Sequence, residues 1–127
     1  MARRSIQIDG FGHLNPLPAA SRIGNLVASS VIGGMDRGTR DFPESFAGQC
    51  ANVFAHMRAI IEAAGATPAD VIKVNFYVAE LERRAEINPL WVELFPDEDS
   101  RPARHTQLQQ LDPPRLVCAD FLALIER

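Results

Sequence analysis

Residues 43–65, PESFAGQCANVFAHMRAIIEAAG, carry the pattern on which the fold turns. Apolar side chains recur at Cys50, Val53, Phe54, Met57, Ile60, Ile61 and Ala64, the spacing of one stripe along an α-helix. Pro43 suits a first helical turn, Glu44 favours the positive end of the helix dipole, and Gly65 supplies a stop. The spacing predicts a helix from about Pro43 to Ala64, with His56 on its flank. A stripe this wide on an otherwise polar helix calls for a sheet to lie on.

Working outward, strand signals stand on both sides. Ser5 to Asp9 alternates polar and apolar, the period of a strand with one buried face. Two glycines and two prolines between Gly10 and Pro18 forbid regular structure there. Ile23 to Ile32 reads as a hairpin turn at Gly24-Asn25 followed by a strand buried on both faces, and Gly33 to Thr39 as a loop. After the helix, Thr67-Pro68-Ala69-Asp70 forms a short capped turn. Val71 to Ala79 is β-branched and aromatic, hence a strand. A second helix spans about Arg83 to Phe95, with Pro89 forcing a start near Asn88 or a kink. Two strands close the chain, Arg104 to Leu111 and Leu116 to Glu126, separated by a turn at Asp112-Pro113-Pro114. The order predicts an α+β fold, two helices packed on one face of a mixed sheet, in a single domain over residues 1–127.

Composition excludes several classes. With 46% hydrophobic and 23% charged residues, the chain reads as globular rather than disordered. A net charge of -3 with scattered basic residues argues against a general nucleic-acid binder. Cys50 and Cys118 form neither a disulfide framework nor a metal-spacing motif. Met1-Ala2-Arg3-Arg4-Ser5-Ile6 is followed by no apolar run of signal-peptide length, and no segment reaches the roughly 20 apolar residues of a membrane helix. A cytoplasmic location is the expectation.

With these pieces in view, the chain resembles the RidA/YjgF family over nearly its whole length. The resemblance runs through Gly24-Asn25-Leu26-Val27-Ala28-Ser29-Ser30, Gln49 to Gly65, Asp70 to Val78, and Ile87-Asn88-Pro89-Leu90-Trp91. Its most specific part is Arg101-Pro102-Ala103-Arg104, similar to the family's Pro-Ala-Arg signature before the penultimate strand. The resemblance implies a chorismate-mutase-like fold and a homotrimer with a barrel-like centre, its pockets lying in clefts between subunits. It implies hydrolysis of small enamine or imine carboxylates, such as 2-aminoacrylate, to 2-keto acids and ammonia, with no metal and no organic cofactor. The partners it implies are a small imine or keto-acid ligand and copies of the chain itself; the composition argues against a membrane or nucleic-acid partner.

The same resemblance assigns roles. Arg104 matches the residue that grips the substrate carboxylate, whose two oxygens suit the planar fork of a guanidinium. The alternative for Arg104 is a surface salt bridge, worth about 0–1 kcal/mol. Ser30 and Val31 match the strand lining the cleft, and Asn88 matches an asparagine that donates into the pocket, or is an ordinary helix N-cap. Leu17 stands where the family often has tyrosine, and Thr106 where it often has cysteine, although a backbone N–H of Thr106 can still donate. Cys118-Ala119-Asp120-Phe121 replaces the usual Glu-x-Glu-Ala, so that Cys118 and Asp120, on one strand face, inherit the place of the catalytic carboxylates. A neutral thiol orients water less well than a carboxylate and is as readily a small apolar filler. His13, near Leu17, is a candidate for supplying a missing polar group, while alternation turns His105 away from Arg104.

Three functions follow. The first is an imine deaminase, either of the general kind or for one pathway's substrate. The second is a non-catalytic binding or regulatory protein for small carboxylates. The third, an endoribonuclease or translation inhibitor, is opposed by the acidic balance and the lack of an aromatic and basic surface.

Overall fold

The computed structural model describes residues 2–126; Met1 and Arg127, the ends of the expected domain, lie outside them. The expected long helix is α1, Phe46–Ala63. It begins later than Pro43 because Ser45 takes the cap, its hydroxyl accepting from the Gly48 N–H at 2.9 Å. It ends at Gly65, whose φ of 81° is open to glycine at little cost. Cys50, Val53, Met57, Ile60 and Ile61 are all fully buried, each large apolar side chain contributing about 1.5–3 kcal/mol.

The sheet has seven strands: β1 (Arg4–Ile6), β2 (Ala20–Ile23), β3 (Leu26–Ser29), β4 (Ile32–Gly33), β5 (Val71–Val78), β6 (Ala103–Leu108) and β7 (Val117–Leu124). Their order is β1-β2-β3-β7-β5-β6, with β4 also paired to β7. Only β5 and β6 run parallel, and the connection between them carries α2, Asn88–Leu94, as parallel neighbours require. The α+β architecture with a mixed sheet is therefore as expected. Phe76 on β5 shows both helices on one face. Its ring meets Phe54 of α1 at 5.7 Å and Trp91 of α2 at 6.1 Å.

Several boundaries and burials depart from the sequence reading. The first strand spans Arg4–Ile6 rather than Ser5 to Asp9, since the chain turns at Gly10, φ 79°. Ala20–Ile23, in a stretch without strict alternation, forms the other arm of the hairpin at Gly24-Asn25. The strand expected to be buried on both faces breaks into β3 and β4. Within β3, Val27 is buried while Leu26 and Ala28 are exposed, because nothing in a single chain covers that face. The second helix is split at Asn88, preceded by a 3-10 turn over Leu81–Ile87, as Pro89 requires. β6 stops at Leu108, short of Leu111, and β5 lies between it and β7.

His56 is the clearest correction. It is 5% exposed rather than on a flank, and its Nε2 donates to the Met35 carbonyl at 2.7 Å. Gln49 and Asn52 share its helix face. Gln49 Nε2 donates to the carbonyls of Pro43 and Pro114 at 2.9 and 2.8 Å, and its Oε1 accepts from Leu116 N at 2.8 Å. Asn52 Nδ2 donates to Gly34 O at 3.1 Å and Asp36 Oδ1 at 2.9 Å. A polar line at i, i+3 and i+7 thus pins two loops to α1. Polar residues beside an apolar stripe look solvated in sequence, and only the loops' arrival makes them buried partners.

Candidate functional site

Arg104 enters β6 opposite Val74 of β5, so alternation directs it to the face that carries the helices. Its guanidinium carbon lies 5.4 Å from the Phe76 ring centre and 5.2 Å from that of Trp91. Nη1 donates to Asn88 Oδ1 at 2.8 Å and Nη2 to the Arg84 carbonyl at 3.0 Å. Among the described residues no carboxylate lies within ion-pair distance of it, the two ion pairs both belonging to Arg83. Burial draws its pKa down, opposed by the nearby Cys50, yet guanidinium stays charged near neutrality. The result is a cation held by neutral acceptors and aromatic faces, with N–H groups to spare.

Asn88 is not the N-cap of α2. Its φ and ψ are -57° and -43°, already helical, and Ile87 precedes it in the cap position without a side-chain bond. Its oxygen faces Arg104, which leaves its amide N–H groups to donate elsewhere. Thr106 lies two residues along from Arg104, opposite Phe76 and half-buried.

A second region lies apart from this one. A cleft of about 530 Å³ is lined by His13, Val31, Met35, Arg40, Arg115 and Cys118, among others. Gly34, between the lining residues Gly33 and Met35, packs closely on α1: a Cβ on it would stand 2.6 Å from the Gln49 carbonyl oxygen. His13 Nε2 is buried with no hydrogen-bond partner among the described residues. Burial lowers the His13 pKa first and the charge of Arg40 lowers it further, against a raising bond to the Val31 backbone. With Nε2 unpartnered, that bond falls to Nδ1–H, leaving Nε2 as an acceptor. Cys118 pairs with Gly33 and Tyr77. Burial, then Asp120, pushes its thiol up to about 11, with Arg115 opposing, so it is neutral at ordinary pH.

Asp120 shares Cys118's face but not its cleft. It accepts from Asn75 Nδ2 at 2.9 Å and Tyr77 Oη at 3.0 Å. Burial, and then its bond to Asp120, push the Tyr77 phenol up. Leu14 and Asn15 line the cleft where Leu17 does not, and Val31 does where Ser30 does not. Ser30 meets Ala19 through its backbone N–H at 2.9 Å. His105, opposite Asn75, is exposed on the face away from Arg104. The sequence reading singled out neither Arg40 nor Arg115, because arginines in turn-rich loops carry no spacing signal.

The register sets the two regions apart. Cys118 and Asp120 stand opposite Tyr77 and Asn75, whereas Arg104 and Thr106 stand opposite Val74 and Phe76. Side chains of adjacent strand residues point to opposite faces, so within one chain Arg104 and Cys118 face away from each other. Among the described residues no three His, Cys, Asp or Glu side chains gather to hold a metal. Among the described residues no helix is long and apolar enough to cross a membrane.

Residues 10–124 match the family model for Endoribonuclease L-PSP. The chain is 31% identical over 94 residues to a 2-iminobutanoate/2-iminopropanoate deaminase of Dermatophagoides farinae, covering 73% of this chain and 72% of that one. Against a RutC family protein of Aquifex aeolicus (strain VF5) it is 30% identical over 73 residues, 58% of the length of each. The crystal structure of RidA from the Antarctic bacterium Psychrobacter sp. PAMC 21119 superposes with a TM-score of 0.86 at 30% identity, covering 96% of this chain and 99% of that one. E. coli TdcF with bound serine shares the fold alone, with a TM-score of 0.86 at 21% identity over 97% and 99% of the two chains.

Proposed function

The chain belongs to the Endoribonuclease L-PSP family, that of RidA and YjgF, and on that premise we propose that it hydrolyses small enamine or imine carboxylates to 2-oxo acids and ammonia. The observation that carries this is the state of Arg104: a half-buried guanidinium with no carboxylate in ion-pair distance among the described residues, fixed by Asn88, Arg84, Phe76 and Trp91. A positioned cation with spare donors offers a carboxylate a bidentate seat.

The rest of the site comes from a neighbouring copy. Arg104 faces the helix side of its sheet and the His13–Cys118 cleft belongs to the other, so one ligand meets both only between two chains. Exposed apolar side chains favour such an assembly: Ile23, Leu26, Leu122 and Leu124 are 50%, 49%, 39% and 51% exposed on adjacent strands of the uncovered face. A contiguous patch of this kind marks a contact surface. The proposed unit is a trimer of single domains acting in the cytoplasm.

In the reaction, water adds to the C=N carbon, the carbinolamine expels ammonia and the 2-oxo acid departs. Neutral His13, a residue that lines the cleft and whose Nε2 has no partner among the described residues, takes the proton from the incoming water and returns it to the leaving nitrogen. Cys118 walls the cleft as a neutral thiol, and Asp120, engaged by Asn75 and Tyr77, holds the strand face beside it. The residues bound the ligand through Arg104, Asn88, Val31 and the Thr106 backbone N–H. Hydrolysis of 2-aminoacrylate tests this: Arg104→Ala lowers kcat/KM by about 100-fold or more, and Arg104→Lys, which keeps charge without the fork, by about tenfold. An active Arg104→Ala enzyme overturns it. A second reading, binding without turnover, is favoured by Cys118 standing neutral where the family resemblance places a catalytic carboxylate. It predicts 2-oxobutyrate binding with no 2-aminoacrylate hydrolysis.

A further inference from the structure

The cleft carries more positive charge than carboxylate binding at Arg104 needs. Arg40 and Arg115 both line it, against one carboxylate, that of Asp112. A cationic excess at one spot on a chain of net charge -3 is a local feature that calls for a partner. Neither arginine has an ion pair among the described residues. Arg40 Nη1 donates to the Gly12 carbonyl at 2.9 Å and lies 3.6 Å from Met35 Sδ. Arg115 lies over the Phe42 ring at 5.1 Å. Both guanidinium groups are thus positioned as Arg104 is, by a carbonyl or an aromatic face rather than by an anion. Arg40 stands close enough to His13, and Arg115 to Cys118, for each charge to be felt there. The cationic ends therefore border the same space as the candidate reacting groups. Between them, Val31, Met35 and Cys118 present an apolar wall suited to methylene groups, and a space of about 530 Å³ falls within the usual range for small ligands.

We propose that Arg40 and Arg115 form a subsite for a second anionic group, so that the ligand class is the four- to five-carbon 2-imino or 2-oxo dicarboxylate. This rests on the reading above, in which a neighbour's Arg104 takes the carboxylate next to the reacting carbon; the new subsite takes the far one. Two guanidinium groups discriminate between a carboxylate and a methyl group because the second leaves them unpaired in a partly enclosed space.

Calorimetric titration of the full chain with 2-oxoglutarate and with 2-oxobutyrate tests the proposal. The wild type binds 2-oxoglutarate tighter by about tenfold or more. In Arg40→Gln and Arg115→Gln that ratio falls toward one, and in Arg104→Ala both affinities fall together. Both cleft arginines are exposed, and a variant's binding of 2-oxobutyrate reports that it is folded. Equal affinities in the wild type, or a ratio that survives both glutamine variants, overturn the subsite. If 2-oxobutyrate binding still depends on Arg104 in that case, the reading of Arg104 stands alone. If Arg104→Ala leaves both affinities intact, the reading of Arg104 fails and the shared ligand proposed here fails with it.

Discussion

Arg104 and Cys118 are reached from one central strand, β5, through Val74 and Tyr77, yet their surroundings are built in opposite ways. Arg104 is held on every side: two aromatic faces, the oxygen of Asn88 and the carbonyl of Arg84. Around Cys118 the groups are held one by one but not to each other. His13 Nε2 has no partner, Arg40 leans on a glycine carbonyl, and Arg115 lies on Phe42. The first region is held entirely by contacts among the described residues. The second is a wall with unused donors and acceptors, waiting for a ligand or a neighbour to meet them. In the proposed function, the first region grips one end of a ligand and the second sets what else that ligand must be.

The contrast breaks most severely if the cleft has a soft floor. Gly34→Ala forces a Cβ against the Gln49 backbone oxygen at 2.6 Å, and overpacking of this kind costs about 1–3 kcal/mol. Urea unfolding should record that loss; a neutral result means the loop from Gly34 to Asp36 shifts freely and the cleft is not preformed. On the Arg104 side, Asn88→Ala removes one of two polar anchors. A bond of about 0.5–1.5 kcal/mol corresponds to a loss of roughly two- to tenfold in kcat/KM for 2-aminoacrylate, with stability nearly unchanged. An equal fall in stability and activity would make Asn88 a structural prop instead.

A third effect, confined to alkaline pH, belongs to Cys118. Its pKa rises on folding from an ordinary 9.0 to about 11, so the folded state holds its proton more tightly than the unfolded one. Its contribution is complete below about pH 9 and is lost as pH rises through about 11. Wild-type stability should therefore fall more steeply than that of Cys118→Ser between pH 9 and 11. Parallel curves would mean the thiol is not desolvated.

Much of the fold was legible because apolar periodicity reports burial directly. The stripe from Cys50 to Ile61, the β-branched run at Val71 to Val78 and the break at Pro89 all became the elements expected. His56 and Gln49 were not legible, since their partners, Met35, Pro114 and Leu116, arrive from loops distant in sequence. Nor was the uncovered side of β3, because an apolar run reads the same whether its second face meets a helix or another copy. At the site, Arg104 was visible through its signature, and alternation placed Cys118 with Asp120. Alternation did not reveal that Asp120 is engaged by Asn75 and Tyr77 while His13 Nε2 has no partner among the described residues. Those facts depend on strand register, which no single segment encodes.

The central claim is that the site exists only between copies of the chain, one giving Arg104 and the next the cleft. Co-refolding Arg104→Ala with a cleft-blocking variant, Val31→Trp, tests it directly by 2-aminoacrylate hydrolysis. Each variant alone is inactive. In randomly mixed cyclic assemblies about a quarter of the interfaces regain both intact halves, so about a quarter of wild-type activity should return. A mixture as inactive as its components would contradict the claim and return the site to a single chain.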